Sequence, residues 1–148
     1  MKKGFTLIEL MIVVIVIGIL ATLAVPRFAS ALERAKVAEA VRIIGTLKDG
    51  EIAIFNERNA FVNATASITQ LPITPPANDS TGWNYTLGGS TTAVQINATR
   101  NAYATTHQGA RSALYSGKYI RMTVTYDSAA DSFSTSWSGD HPLRPVNP

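Results

Sequence analysis

The chain has 148 residues, is 46% apolar, carries a formal charge of +3 and contains no cysteine. That is room for one modest domain beside a membrane segment, with no disulfide staple and no thiolate to act as nucleophile or metal ligand. The isoelectric point of about 9.4 overstates the basic character: two of the 13 Lys and Arg are Lys2 and Lys3, and the remaining 11 nearly match the 10 Asp and Glu, so net charge gives no case for a nucleic-acid partner.

Lys2, Lys3 and Gly4 lead into an apolar run over residues 5–25 whose only ionisable residue is Glu9. At about 1.5 Å per residue this run makes a helix of roughly 31 Å, the hydrocarbon thickness of a bilayer. The two lysines hold the N-terminus on the cytoplasmic side. Glu9 is the anomaly. An acidic residue within a spanning helix costs roughly 2.5–3.5 kcal/mol at the centre, less near an end, and a cationic partner would offset it.

The order Gly4-Phe5-Thr6-Leu7-Ile8-Glu9, with Lys2-Lys3 before it and an apolar helix after it, resembles the processing site of type IV pilins and type II secretion pseudopilins. The resemblance is close over roughly the first 30 residues and extends to the general plan of the rest. It implies cleavage by prepilin peptidase between Gly4 and Phe5, with N-methylation of Phe5. It implies that Glu9, the fifth mature residue, pairs with the N-terminal amine of a neighbouring subunit. Pro26 falls where many members have a helix-kinking proline. The implied partners are other copies of the chain in a helical filament, the peptidase, the bilayer, and an inner-membrane assembly platform with its ATPase motor. The implied location is the bacterial inner membrane, single pass with a cytoplasmic N-terminus, and then a cell-surface pilus or a periplasmic pseudopilus. The apolar core is too long for an ordinary secretory signal cut after Ala31, and Glu9 is badly placed within it; a plain signal anchor fits the length but leaves Glu9 unexplained.

Beyond Pro26 the sequence turns amphipathic. Val37, Val41, Ile44, Ile52 and Phe55 share one face, with Glu39, Arg42, Asp49 and Glu57 roughly opposite. The helix is therefore expected to reach residues 58–60, weakened at Gly45 and Gly50. Residues 61–82, with Pro72, Pro75 and Pro76, read as a connection with one short helical turn at 67–71. Alternation then marks strands at 83–87, 93–99, 119–126 and 132–137, with Gly88-Gly89-Ser90 and residues 127–131 as turns. The tail from Ser138 is expected to be extended. The fold class is α+β: a long N-terminal α-helix, membrane-spanning in its first half, packed by its second half on a small antiparallel sheet of about four strands. In segments this is a leader at 1–4, a transmembrane and polymerisation helix at 5–28, its amphipathic continuation at 29–60, the connection at 61–82, the sheet at 83–137 and the tail at 138–148.

No catalytic constellation emerges, and no cofactor or metal is expected. His107 and His141 lack metal-ligand spacing and read as solvated. Asp127, Asp131 and Asp140 flank turns but match no calcium-loop pattern. Arg100, Arg111, Lys118 and Arg121, interleaved with Tyr103, Tyr115 and Tyr119, form a basic and aromatic stretch that could hold single-stranded nucleic acid. Four basic residues are few against the counter-ion cost, so sheet packing and a solvated face are the preferred reading. The Asn-x-Ser/Thr matches at Asn63, Asn78, Asn84 and Asn97 are expected by chance in so polar a domain. The reading is a non-enzymatic pilin subunit. Its rivals are a type II secretion pseudopilin and, more distantly, a bitopic membrane protein with a periplasmic binding domain.

Overall fold

The apolar run and the amphipathic stretch after it form one helix, α1 (Leu7–Arg58), assigned without a break through Pro26. The computed structural model describes residues 4–102, 109–110 and 113–147, and leaves aside the side chains of residues 25, 26, 78 and 79. After α1 come a 3-10 helix (Thr65–Gln70), a short α2 (Asn78–Thr81) and four strands: β1 (Trp83–Gly89), β2 (Ala93–Arg100), β3 (Tyr119–Asp127) and β4 (Ser132–Gly139). The chain divides into two units, Met1–Ala35 and Lys36–Pro148.

In the first unit every described residue from 4 to 32 is exposed, including Leu7, Ile8, Leu10, Met11 and the β-branched residues that follow. By length and composition this part of α1 is sufficient to cross a bilayer. Within it Thr22 Oγ1 donates to the Ile19 carbonyl at 2.7 Å, which hides the hydroxyl against the backbone.

In the second unit the sheet order is β1-β2-β3-β4, antiparallel throughout and unbroken in register. Alternation sends Trp83, Tyr85 and Leu87, then Val94, Ile96 and Ala98, then Ile120, Met122 and Val124 to one face. Val37, Ala40, Ile44, Leu47, Ile54 and Phe55 of α1 join them in a single core. Val41 and Ile52, expected on the same stripe, lie at its border and are partly buried. Trp83 fixes the start of this packing by donating its indole N–H to the Lys36 carbonyl at 3.1 Å. Of the two helix glycines, Gly50 is a packing position, where a Cβ would stand 3.4 Å from Pro72, whereas Gly45 faces open space.

Aromatic packing closes the far end of the core. Phe55 lies 4.6 Å from Phe61, 4.5 Å from Tyr126 and 5.4 Å from Phe133, ring centre to ring centre. One helix residue thus holds the post-helix chain and the β3–β4 hairpin together. Phe55→Ala should cost about 3–5 kcal/mol of unfolding free energy, measured by chemical denaturation of the purified protein.

Both edge strands carry a side-chain clip. On β1, the Leu87 N–H donates to Thr65 Oγ1 at 2.9 Å and the same hydroxyl donates to the Leu87 carbonyl at 3.1 Å. On β4, the Trp137 N–H donates to Asn147 Oδ1 at 2.6 Å, and Asn147 Nδ2 donates to the Trp137 carbonyl at 3.2 Å.

Three sequence expectations need correction here. Gly88 and Gly89, expected in a turn, belong to β1 and pair with Gln95 and Val94. β4 continues through Ser138 to Gly139, taking two residues from the expected extended tail. His141, read as solvated, is fully buried. Its ring stacks on Tyr115 at 5.5 Å and lies 5.6 Å from Trp83. The tail folds back over the start of β1, and the imidazole is the side chain that fills that space.

Candidate functional site

The candidate site is the start of α1. Gly4, Phe5 and Thr6 precede the helix without regular structure, and Phe5 is 82% exposed. Thr6 and Glu9 then form a reciprocal cap. The Glu9 N–H donates to Thr6 Oγ1 at 3.4 Å, while Glu9 Oε2 accepts from Thr6 Oγ1 at 3.1 Å and from the Thr6 N–H at 3.4 Å. This is a capping box, with Thr6 at N-cap and Glu9 three residues on. It satisfies backbone donors that the first helical turn leaves open and places a carboxylate at the positive end of the helix dipole. Both bonds that the Glu9 carboxylate accepts end on Oε2. Among the described residues Oε1 accepts none, so one carboxylate oxygen orients the side chain and the other is open to a partner.

The Thr-x-x-Glu spacing was present in the sequence as a capping signal. It gives Glu9 a local role that its reading as an isolated anomaly leaves out.

Residues 1–25 match the family described as the prokaryotic N-terminal methylation motif. A fimbrial protein of Pseudomonas aeruginosa is 45% identical over 73 residues, which is 49% of this chain and 47% of that protein. A type IV major fimbrial protein, FimA, of Dichelobacter nodosus is 34% identical over 131 residues, which is 83% of this chain and 81% of the relative. The chain belongs to the type IV fimbrial protein family. Against the P. aeruginosa fimbrial proteins it spans about half their length, 47%. A second D. nodosus FimA is 49% identical over 59 residues, covering 34% of this chain and 37% of that relative. For this fimbrial chain the α+β expectation of a long N-terminal helix on a four-stranded antiparallel sheet agrees with the fold described above.

The basic stretch is placed piecemeal. Arg100 is 3% exposed, lies 5.3 Å from the centre of the Trp83 ring and donates to the Gly82 carbonyl at 2.8 Å. Arg121 donates to Asn97 Oδ1 at 2.5 Å and sits over the Tyr119 ring at 5.1 Å. Lys118 pairs with Asp140 at 3.1 Å. Arg111, Tyr103 and His107 lie outside the described residues, as do Lys2, Lys3 and the side chain of Pro26. Each described member therefore has a partner within its own domain.

The turn aspartates are also engaged. Asp131 accepts from the Tyr126 hydroxyl at 2.8 Å, and Asp127 accepts from the Ala129 N–H at 2.9 Å. Asp140 accepts from the Tyr119 N–H at 2.8 Å, and that bond, with help from Lys118, lowers its pKa. Among the described residues no group of three His, Asp or Glu side chains is gathered as metal ligands would be.

One charged residue of the core was missed by the sequence reading. Glu51 is fully buried within the apolar stripe of α1. Its Oε2 accepts the Val62 N–H at 2.9 Å, while Oε1 is buried with no partner among the described residues. Burial raises its pKa from 4.5 to about 7, against the opposing effect of the Val62 bond. The signal was its position, seven residues after Ile44 and four after Leu47, on the face that turns inward.

Proposed function

We propose that this chain is the structural subunit of a type IV pilus-like filament. In this reading prepilin peptidase cuts between Gly4 and Phe5 and methylates the Phe5 amine. The mature chain waits in the inner membrane with its N-terminus toward the cytoplasm. It then exchanges lipid for the helices of neighbouring copies, driven by an assembly platform and its ATPase motor. Its role is structural, not catalytic. The type II secretion alternative draws on the same N-terminus, but the relatives named above are fimbrial proteins.

The observation that carries the proposal is the start of α1: an exposed, non-helical Gly4-Phe5 bond beside a carboxylate with one oxygen in use and one open. A peptide bond outside a helix can enter a protease cleft with no hydrogen bonds to break. Cleavage there creates a cation at Phe5. The open oxygen of Glu9 is suited to the Phe5 amine of another copy. Between apolar helices such a pair is tolerable and either charge alone is expensive. Pro26 is assigned the role of loosening α1 where it leaves the apolar core.

N-terminal peptide mass spectrometry on the membrane and sheared-surface fractions of native cells tests this. A chain beginning at methylated Phe5, present in the sheared fraction, is expected. A chain beginning at Met1 in cells with active peptidase, or one cut after Ala31, would remove the proposal.

A further inference from the structure

Among the described residues, the outer edge of β4 is a place where the domain leaves strand chemistry open. Trp137 turns its N–H and carbonyl away from β3, since both bond to Asn147. The β3–β4 register runs one to one from Asp127↔Ser132 to Ile120↔Gly139 with no bulge. In an antiparallel ladder alternate residues point the same way. Phe133 and Thr135 therefore also direct their backbone groups outward, and among the described residues nothing bonds to them there.

Edge strands are ordinarily guarded by charges, proline, bulges or a covering element. β4, Ser-Phe-Ser-Thr-Ser-Trp-Ser-Gly, has no charge and no proline. The opposite edge, β1, has the 3-10 helix against it as well as the Thr65 clip. On β4, among the described residues, the bonds on the outer edge come from one side chain, Asn147, whose amide imitates the donor and acceptor of a paired strand at Trp137.

We propose that the outer edge of β4 pairs with the β4 of a second copy of this chain, antiparallel about Thr135, and that Asn147 gates the pairing. The strand is complementary to itself. With Thr135 opposite Thr135, Phe133 of each copy faces Trp137 of the other. Both aromatics are partly buried and packed against the core, so the two pairs extend the core face across the join, and such cross-strand pairs stabilise sheets. No like charges meet inside the segment, and Asp131 and Asp140 bound it at its two ends. The paired backbone groups belong to Phe133, Thr135 and Trp137, so Trp137 must first leave Asn147. Two hydrogen bonds to a tail side chain are exchanged for strand pairing along five residues. Where copies are arrayed in a filament, the same pairing would join one filament to another. That consequence rests on the proposed function, whereas the pairing itself does not.

The absence of cysteine makes the test direct. Thr135 positions opposite each other in an antiparallel ladder lie about 5.5 Å apart at Cα, within disulfide range. Full-length Thr135→Cys protein in detergent micelles, mildly oxidised, should give at least fivefold more cross-linked dimer than Ser132→Cys. Residue 132 lies on the same strand, but this register places it opposite residue 138. Ser128→Cys, in the exposed turn, sets the background from random encounter. Adding Asn147→Ala to Thr135→Cys should raise the dimer yield at least threefold more. Equal yields from the three single cysteines, in both Asn147 backgrounds, would overturn the pairing. An Asn147→Ala change that leaves the Thr135→Cys yield unaltered would overturn the gate.

Discussion

Cells carrying Glu9→Gln should hold normal amounts of processed protein in the membrane and shed at least tenfold fewer filaments. The choice of glutamine is what makes the result informative. Glu9→Ala removes three things at once: the charge, the return half of the capping box and the favourable placement at the helix dipole. Glutamine at this position still closes a capping box with Thr6, so the helix start survives. The negative charge is lost, and with it the response to a cation and the favourable interaction with the helix dipole, the latter worth only about 0.3–1 kcal/mol. In the filament reading the Phe5 amine of another copy would then lie in apolar surroundings without its counter-charge. Breaking a buried pair by removing one partner costs about 3–5 kcal/mol. At 1.4 kcal/mol per tenfold, that is roughly a hundredfold or more in each subunit's equilibrium for joining.

Insertion into the membrane cannot account for such a loss, because a neutral residue enters a bilayer more easily than a carboxylate. Glu9→Ala should therefore fall at least as far as Glu9→Gln, and Thr6→Val, which removes the cap but keeps the charge, should fall less. Filament mass in sheared fractions, normalised to membrane-bound chain, measures all three. Wild-type yield from Glu9→Gln would mean that Glu9 serves the helix end alone, and the pairing mechanism would have to be abandoned.

The sheet was legible because its physics is local. Alternation in Val94, Ile96 and Ala98, or in Ile120, Met122 and Val124, is the direct record of one buried face. The same parity places Arg100 inward, yet as a cation its burial was not expected, because it depends on Trp83 from another strand. The helix was legible by length and period, up to its end at Arg58. Burial of His141 was not, since it requires the tail to fold back against Trp83 and Tyr115, residues far away in sequence. Asn147 is the same kind of case: its amide has a role only once β4 exists as an edge. The processing motif was legible as a resemblance, whereas the Thr6–Glu9 cap, though its spacing stands in the sequence, was not read from it.

Glu51 should make the domain less stable as pH rises through neutrality. Its pKa is raised in the folded chain, from 4.5 to about 7, because burial disfavours the charged form. The folded state then binds a proton more tightly than the unfolded state, so the associated stability is fully present below about pH 4.5. It fades as pH climbs and is gone above about pH 7. Each tenfold difference in proton affinity between the folded and unfolded chain is worth about 1.4 kcal/mol, so the change across this window is roughly 3 kcal/mol. Its structural locus is the Val62 N–H, which Glu51 holds just beyond the end of α1, next to the Phe61 N–H bond to the Thr91 carbonyl. Loosening there should reach the aromatic cluster around Phe55.

The measurement is the thermal midpoint of wild type and Glu51→Gln between pH 5 and pH 8, with the difference in slope as the readout. The difference removes every other titrating group. Glutamine can still accept from Val62, but its amide hydrogens gain no certain acceptor, which lowers stability by about 1–3 kcal/mol at every pH. The offset between the two proteins therefore says little. The slope decides. Wild type should lose midpoint temperature with rising pH relative to Glu51→Gln, and the two curves should approach or cross near pH 8. Parallel curves would mean that the Glu51 carboxylate reaches solvent or a counter-charge when ionised, and that the core tolerates it without loss.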